Sequence, residues 1–188
     1  LQFGLCTQDP ACKDTLGDPR SELDTLLTTL RKQPVQVQYR DATSGEMKQG
    51  VLRAQTVAGL VRMYAYMPLA ASLLPKLIHD ANAGHYENLM ALAKMMSGDL
   101  ENALAMGMQL SVVCSEDADS MVTRPDDADT VLGNDMTAAM AAMCAVWPKG
   151  QVPADFHQPL RTSVPALVLA GEFDPVTPPR YGKEIVEH

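Results

Sequence analysis

Positive charge is scarce in this 188-residue chain. Fifteen Lys and Arg stand against 23 Asp and Glu, a formal net charge of -8 with an isoelectric point near 4.9. No Lys/Arg-rich run appears, so the chain offers no surface for neutralising phosphates, and nucleic acid is excluded as the expected partner. Aromatic residues make up only 5% of the chain, so the core must come from Leu, Ala, Val and Met. No apolar run can cross a bilayer. Residues 57–78 are interrupted by Arg62, Pro68, Pro75 and Lys76, and residues 136–147 are too few. No signal peptide opens the chain. Leu1 is not a natural start and His188 falls within a helical pattern, so the sequence reads as an excised piece of a longer protein. No C-x-x-C pair occurs and the four histidines are scattered, which argues against zinc. Neither a metal nor an organic cofactor is expected.

Four cysteines are present, Cys6, Cys12, Cys114 and Cys144. The even count and the spacing fit two disulfides, Cys6–Cys12 and Cys114–Cys144; four reduced, buried thiols are the alternative. Two disulfides would place the protein outside the cytoplasm, secreted or periplasmic. Of the twelve methionines, Met95, Met96, Met106, Met108, Met136, Met140 and Met143 gather among Ala and Leu at helical spacing. That pattern favours packing over copper binding, because Met fills irregular gaps.

The first twenty residues read as a loop, with Cys6, Asp9, Pro10, Cys12, Gly17 and Pro19. Leu23, Leu26, Leu27 and Leu30 recur at helical spacing after Asp18, and Pro34 ends that helix. Val35, Val37 and Tyr39 alternate with Gln36, Gln38 and Arg40, which predicts a strand. Asp41 to Gly45 is turn chemistry, and a second strand at 47–52 completes a hairpin. Residues 54–107 are helical in pattern, with breaks at Pro68, at Gly84-His85 and at Ser97-Gly98-Asp99. An apolar run at 110–113 leads into Cys114-Ser115-Glu116-Asp117, and a helix is predicted at 137–146 before Trp147-Pro148.

Residues 166–169 form a short buried-strand run that Gly171 ends. Asp174 follows on a turn rich in Pro175, Pro178 and Pro179. In open α/β sheets the C-terminal edge of the strands is where ligands bind, so a carboxylate there has the place of a catalytic acid. The competing reading is a turn-forming Asp before a proline. A lone strand of this kind needs sheet neighbours that the rest of the sequence does not provide. Those neighbours would be further core strands or, through the exposed edge, another copy of the chain.

Four segments occur in order: Cys114-Ser-Glu-Asp, Cys144-Ala-Val-Trp-Pro, Phe156-His-Gln-Pro, and Val164-Pro-Ala-Leu-Val-Leu-Ala-Gly-Glu-Phe-Asp-Pro-Val-Thr-Pro-Pro. On these the chain resembles the C-terminal half of secreted α/β-hydrolase serine peptidases of the proline iminopeptidase and tripeptidyl aminopeptidase type. The segments around Cys6 to Cys12 and Pro34 to Glu46 resemble the lid of that family. The resemblance implies a mainly α lid with a small β-hairpin over residues 1–157. It also implies one strand-turn-helix piece of an α/β-hydrolase core over residues 158–188. It makes Asp174 the acid of a Ser-Asp-His triad, accepting a hydrogen bond from the histidine Nδ1–H. No serine here carries glycine two positions before and two after it. The resemblance therefore puts the nucleophile before Leu1 and the histidine after His188, and implies that residues 1–188 alone are inactive.

The expected activity is release of residues from the N-termini of short peptides. Glu116 and Asp117 are then candidates for holding the substrate's free α-ammonium. Their competing reading is a pair of acids at a helix N-terminus, favoured by the helix dipole. The partners implied are the short peptide substrate and the rest of the hydrolase core. Two other functions fit the residues. One is an esterase or lactonase on the same scaffold, since fold does not fix substrate; activity on esters against amino-acid arylamides separates it. The other is a non-catalytic helical module that binds peptides.

Overall fold

The computed structural model describes residues 2–159 and 162–187, with side chains placed for all of these except Gln2 and residues 99–103. The chain is mainly helical with one two-stranded antiparallel hairpin, as the sequence predicts. It divides into two compact units, residues 1–98 with 168–188, and residues 99–167.

The first unit begins with α1 (Gln2–Gln8) and α2 (Pro10–Leu16), where the sequence reads as loop. Asp9 caps α2 by accepting from the Cys12 N–H at 2.9 Å, Pro10 opens it, and Gly17 closes it at φ 70°. Each helix is only seven residues long, too short to display a periodicity, and for α2 the caps were the available signal. α3 (Pro19–Lys32) starts at an Asp18 cap and buries Leu23, Leu26, Leu27 and Leu30. β1 (Val35–Arg40) and β2 (Met47–Leu52) pair from Val35 opposite Leu52 to Arg40 opposite Met47. Gly50 leaves room for the Met90 side chain; a Cβ there would collide with the Met90 methyl.

α4 (Ala54–Ala65), α5 (Pro68–Ala71), α6 (Leu74–Asn82) and α7 (Glu87–Ala103) follow. α3 packs on both α4 and α6. Their leucines, with Val57, Ile78, Leu89 and Met90, make the core of this unit. α7 runs through Ser97-Gly98-Asp99, where a turn was expected. Ser97 bonds back to the Lys94 carbonyl at 3.1 Å, and Gly98 disfavours helix by only about 1 kcal/mol, too little to stop it.

The second unit contains α8 (Met106–Glu116) and α9 (Asp135–Val146). The apolar run at 110–113 is part of α8 rather than a separate segment. Leu110, Cys114 and Cys144 form a small core, with Ala118, Met140 and Trp147 packed against it. Trp147 Nε1 donates to Ser111 Oγ at 3.2 Å, and the Gly150 N–H donates to Ser115 Oγ at 2.7 Å. Asn134 pins the preceding loop, donating to the Arg124 carbonyl at 2.8 Å.

The final helix is α10 (Pro179–Glu187). Residues 166–169 ahead of it, expected as a strand, lie outside any ladder: the one described sheet pairs β1 with β2 alone. A strand is defined by its neighbours' hydrogen bonds, and among the described residues no strand lies alongside 166–169. Leu167 and Leu169 are accordingly more than four-fifths exposed.

Candidate functional site

Asp174 stands at the centre of a hydrogen-bonded turn. Its N–H donates to the Gly171 carbonyl at 3.1 Å. Its Oδ1 accepts from the Val176 N–H at 2.8 Å and the Thr177 N–H at 2.9 Å. Its Oδ2 accepts from the Thr177 hydroxyl at 2.8 Å. The sequence dictates this pattern. Pro175 has no N–H, so the first donors after Asp174 belong to Val176 and Thr177. Pro178 disfavours a helical conformation at Thr177, which leaves that residue free to fold back onto the carboxylate. The backbone amides of Thr177 and Val176, followed by the Thr177 hydroxyl, hold the Asp174 carboxyl below the usual carboxylate range. The side chain is half-buried. The result is an anion, fixed in place, with acceptor capacity still open on Oδ2.

α10 packs back on the segment before the turn. A Cβ on Gly182 would lie 3.1 Å from Val168 Cγ1 and 3.8 Å from Ala170 Cβ, so glycine permits the close approach. The groove beside this contact is lined by Val168, Ala170, Pro179, Lys183 and Val186. A second groove in the same unit, about 430 Å³, lies among Phe3, Thr7, Arg20, Val61, Ala65 and Leu74. Neither Asp174 nor Glu116 nor Asp117 lines it.

Glu116 is the last residue of α8 and Asp117 its C-cap. With respect to α8 the reading of the pair as an N-terminal, dipole-favoured one fails: both sit at the negative end of that helix dipole, where acids are disfavoured, and Asp117 alone also precedes a single 3-10 turn at Ala118–Ser120. Glu116 is half-buried and Asp117 exposed. The Asp117 carbonyl accepts from the Ser120 N–H at 2.9 Å and from its hydroxyl at 2.7 Å. These two acids belong to the unit of residues 99–167, and Asp174 belongs to the other. The 99–167 segment holds ten acidic and three basic residues, so it carries -7 of the net charge of -8.

Both expected cysteine pairs are bonded, Cys6 to Cys12 and Cys114 to Cys144. The second joins α8 to α9 inside the core of its unit. Two disulfides, with no described helix long and apolar enough to cross a membrane, are consistent with an extracellular or periplasmic location.

Six of the described serines use their hydroxyls in local hydrogen bonds. The hydroxyls of Ser72, Ser97, Ser111, Ser115 and Ser120 donate to backbone carbonyls, and that of Ser44 to Asp41. His79 Nδ1 lies 3.9 Å from Glu22 Oε1, and His157 packs edge-on against Phe156. His188 lies outside the described residues. No group of three or more His, Cys, Asp and Glu side chains among the described residues could hold a metal ion. Thr177, which makes two of the three bonds to the carboxylate, went unnoticed in the sequence. The signal was available: a hydroxyl residue three positions after an Asp is a common local hydrogen-bonding pattern.

Comparison with known proteins gives one finding. The family model described as TAP-like protein matches residues 129–188, about a third of the chain. The stretch includes α9, Cys144, α10 and the Asp174 turn, and excludes Glu116 and Asp117. No curated protein and no solved structure matches. Over residues 129–188 the chain is thus similar to TAP-like proteins, a likeness consistent with part of an α/β-hydrolase and with a hydrolase-type function.

Proposed function

We propose that this chain belongs to a secreted or periplasmic serine hydrolase that releases residues from the N-termini of short peptides, with Asp174 as the acid of its triad. The observation that carries the reading is the Asp174 turn: a carboxylate held ionised by three hydrogen bonds of 2.8–2.9 Å, inside the stretch that matches TAP-like protein. A triad acid has to stay anionic, orient the imidazole through Nδ1–H, and stabilise the imidazolium that forms when serine attacks. A half-buried turn Asp meets these requirements only if its carboxylate is anchored, as it is here. The serine and histidine are supplied by residues other than 1–188, and acyl transfer by this route needs no metal.

In this reading residues 1–157 form the lid and 158–188 belong to the core. The apolar run at 166–169, with two exposed leucines, suits a strand that pairs within a larger sheet. The concentration of negative charge in 99–167 suits a substrate that presents a free ammonium, with Glu116 and Asp117 as the carboxylates that bind it.

Asp174→Asn tests the triad role in a preparation that contains this chain and shows hydrolase activity. The expected loss in kcat is about 10⁴-fold, because asparagine favours the wrong imidazole tautomer. Unchanged turnover would remove the assignment. Peptide arylamides with free and blocked N-termini, run beside simple esters, decide the substrate class. Preference for the free terminus supports an aminopeptidase; turnover of esters alone makes the enzyme an esterase.

A further inference from the structure

We infer that the Thr177 hydroxyl is the positioning group for Asp174: it sets the plane of the carboxylate and so the direction in which Oδ2 accepts a further hydrogen bond. The catalytic meaning of this rests on the reading of Asp174 as a triad acid. The positional claim does not.

The turn divides its bonds unevenly. Both backbone amides end on Oδ1, at 2.8 and 2.9 Å. Two bonds to one oxygen leave the carboxylate free to pivot about that atom, and the terminal torsion of Asp is intrinsically broad. The only described bond to Oδ2 is the Thr177 hydroxyl at 2.8 Å, and it removes the pivot. Thr177 suits the task because its own backbone N–H is already tied to Oδ1 and its branched Cβ restricts χ1. The hydroxyl is therefore delivered from an anchored residue. It is also exposed and could have turned to water; a charge-assisted bond to the carboxylate outweighs that alternative. An ionised carboxylate oxygen accepts about two hydrogen bonds. With one direction taken by Thr177, Oδ2 has one left, and an incoming imidazole N–H meets an acceptor whose direction is already fixed.

The test has two arms. In the 188-residue chain, the Asp174 carboxyl is titrated by carbon-detected NMR in the parent, Thr177→Val and Thr177→Ser. Valine keeps the shape and both amide bonds but loses the hydroxyl; serine keeps the hydroxyl. Thr177→Val should titrate at higher pH than the parent, and Thr177→Ser close to it, because a hydrogen bond to the charged form favours that form. Identical titration of parent and Thr177→Val overturns the inference. Circular dichroism checks that both variants fold, as expected for an exposed turn residue.

The second arm uses a hydrolase-active preparation containing the chain. Thr177→Val should lower kcat about 10- to 100-fold with KM little changed, the signature of a misaligned group, and Thr177→Ser should recover most of it. If Asp174→Asn abolishes turnover while Thr177→Val leaves kcat intact, the positioning role is overturned and the acid stands. If Asp174→Asn leaves turnover intact, the triad reading fails, and the titration arm still decides what Thr177 does to the carboxylate.

Discussion

At the scale of single residues, two aspartates in this chain have the same device on different scaffolds. Asp41 at the hairpin tip accepts from the Lys48 ammonium at 2.7 Å, and from the Ser44 N–H at 2.8 Å and hydroxyl at 3.1 Å. The Lys48 contact first, then the Ser44 amide, hold its carboxyl far below the usual carboxylate range, while Asp41 raises the Lys48 ammonium above its own. The sign of the linkage follows. Asp41 adds stability above the ordinary carboxylate value of 3.8, and that contribution is lost only as pH falls through its depressed folded value. Lys48 contributes below its ordinary value of 10.5 and loses the contribution as pH rises through its raised folded value. Lys48→Met should therefore move the Asp41 titration upward in NMR while leaving that of Asp174 unchanged. An unmoved Asp41 would show that the amides alone hold it. The comparison also shows what is distinctive about Asp174. Asp41 is neutralised by a lysine, whereas Asp174 is held by uncharged donors and keeps its negative charge available.

At the scale of elements, the C-terminal helix depends on one glycine. α10 exposes Ile185 and Val186 and meets the preceding segment where a Cβ on Gly182 would come within 3.1 Å of Val168. Gly182→Ala should be nearly neutral, since about 1 kcal/mol of helix propensity gained opposes a tight contact. Gly182→Val adds two methyls to that contact and should destabilise the docking of α10 by about 1–3 kcal/mol. Hydrogen exchange at the amides of 183–186 measures it. Protection equal to the parent's in Gly182→Val would mean that α10 does not depend on this contact. The same segment shows the limit of reading elements from sequence. The apolar residues at 166–169 and the terminating Gly171 were legible, as was the turn after them. The ladder was not, because a strand's hydrogen bonds belong to its neighbours.

At the scale of the whole molecule, the two disulfides carry unequal weight. Cys6–Cys12 spans 6 residues and Cys114–Cys144 spans 30. Chain entropy gives about 2 kcal/mol for the first and about 3–4 kcal/mol for the second. The second also serves a unit whose core has three buried residues among those described, two of them its own cysteines. Cys114→Ser with Cys144→Ser should unfold residues 99–167 at a denaturant concentration where the buried leucines of α3, α4 and α6 still hold the other unit. The Trp147 fluorescence transition reports the first and far-UV circular dichroism the second. Coincident, unshifted transitions would show that the bridge is dispensable. The acidic excess in 99–167 adds self-repulsion to this unit, which makes it the more dependent on its bridge.

What the sequence determined by itself is local. Asp18-Pro19 before a leucine stripe specified α3. Alternation at 35–40 and turn residues at 41–45 specified the hairpin, and Trp147-Pro148 stopped α9. The Asp174 turn belongs to this group as well, because its three hydrogen bonds span only three residues, and proline spacing alone leaves those donors facing the carboxylate. The tertiary structure decided what local propensity leaves open. It carried α7 through Ser97-Gly98, and it put Glu116 and Asp117 at the end of a helix rather than the beginning. It left residues 166–169 without a ladder. Each of these outcomes turns on local hydrogen bonds and on which neighbours are present, a balance that preferences of roughly 1 kcal/mol per residue leave open.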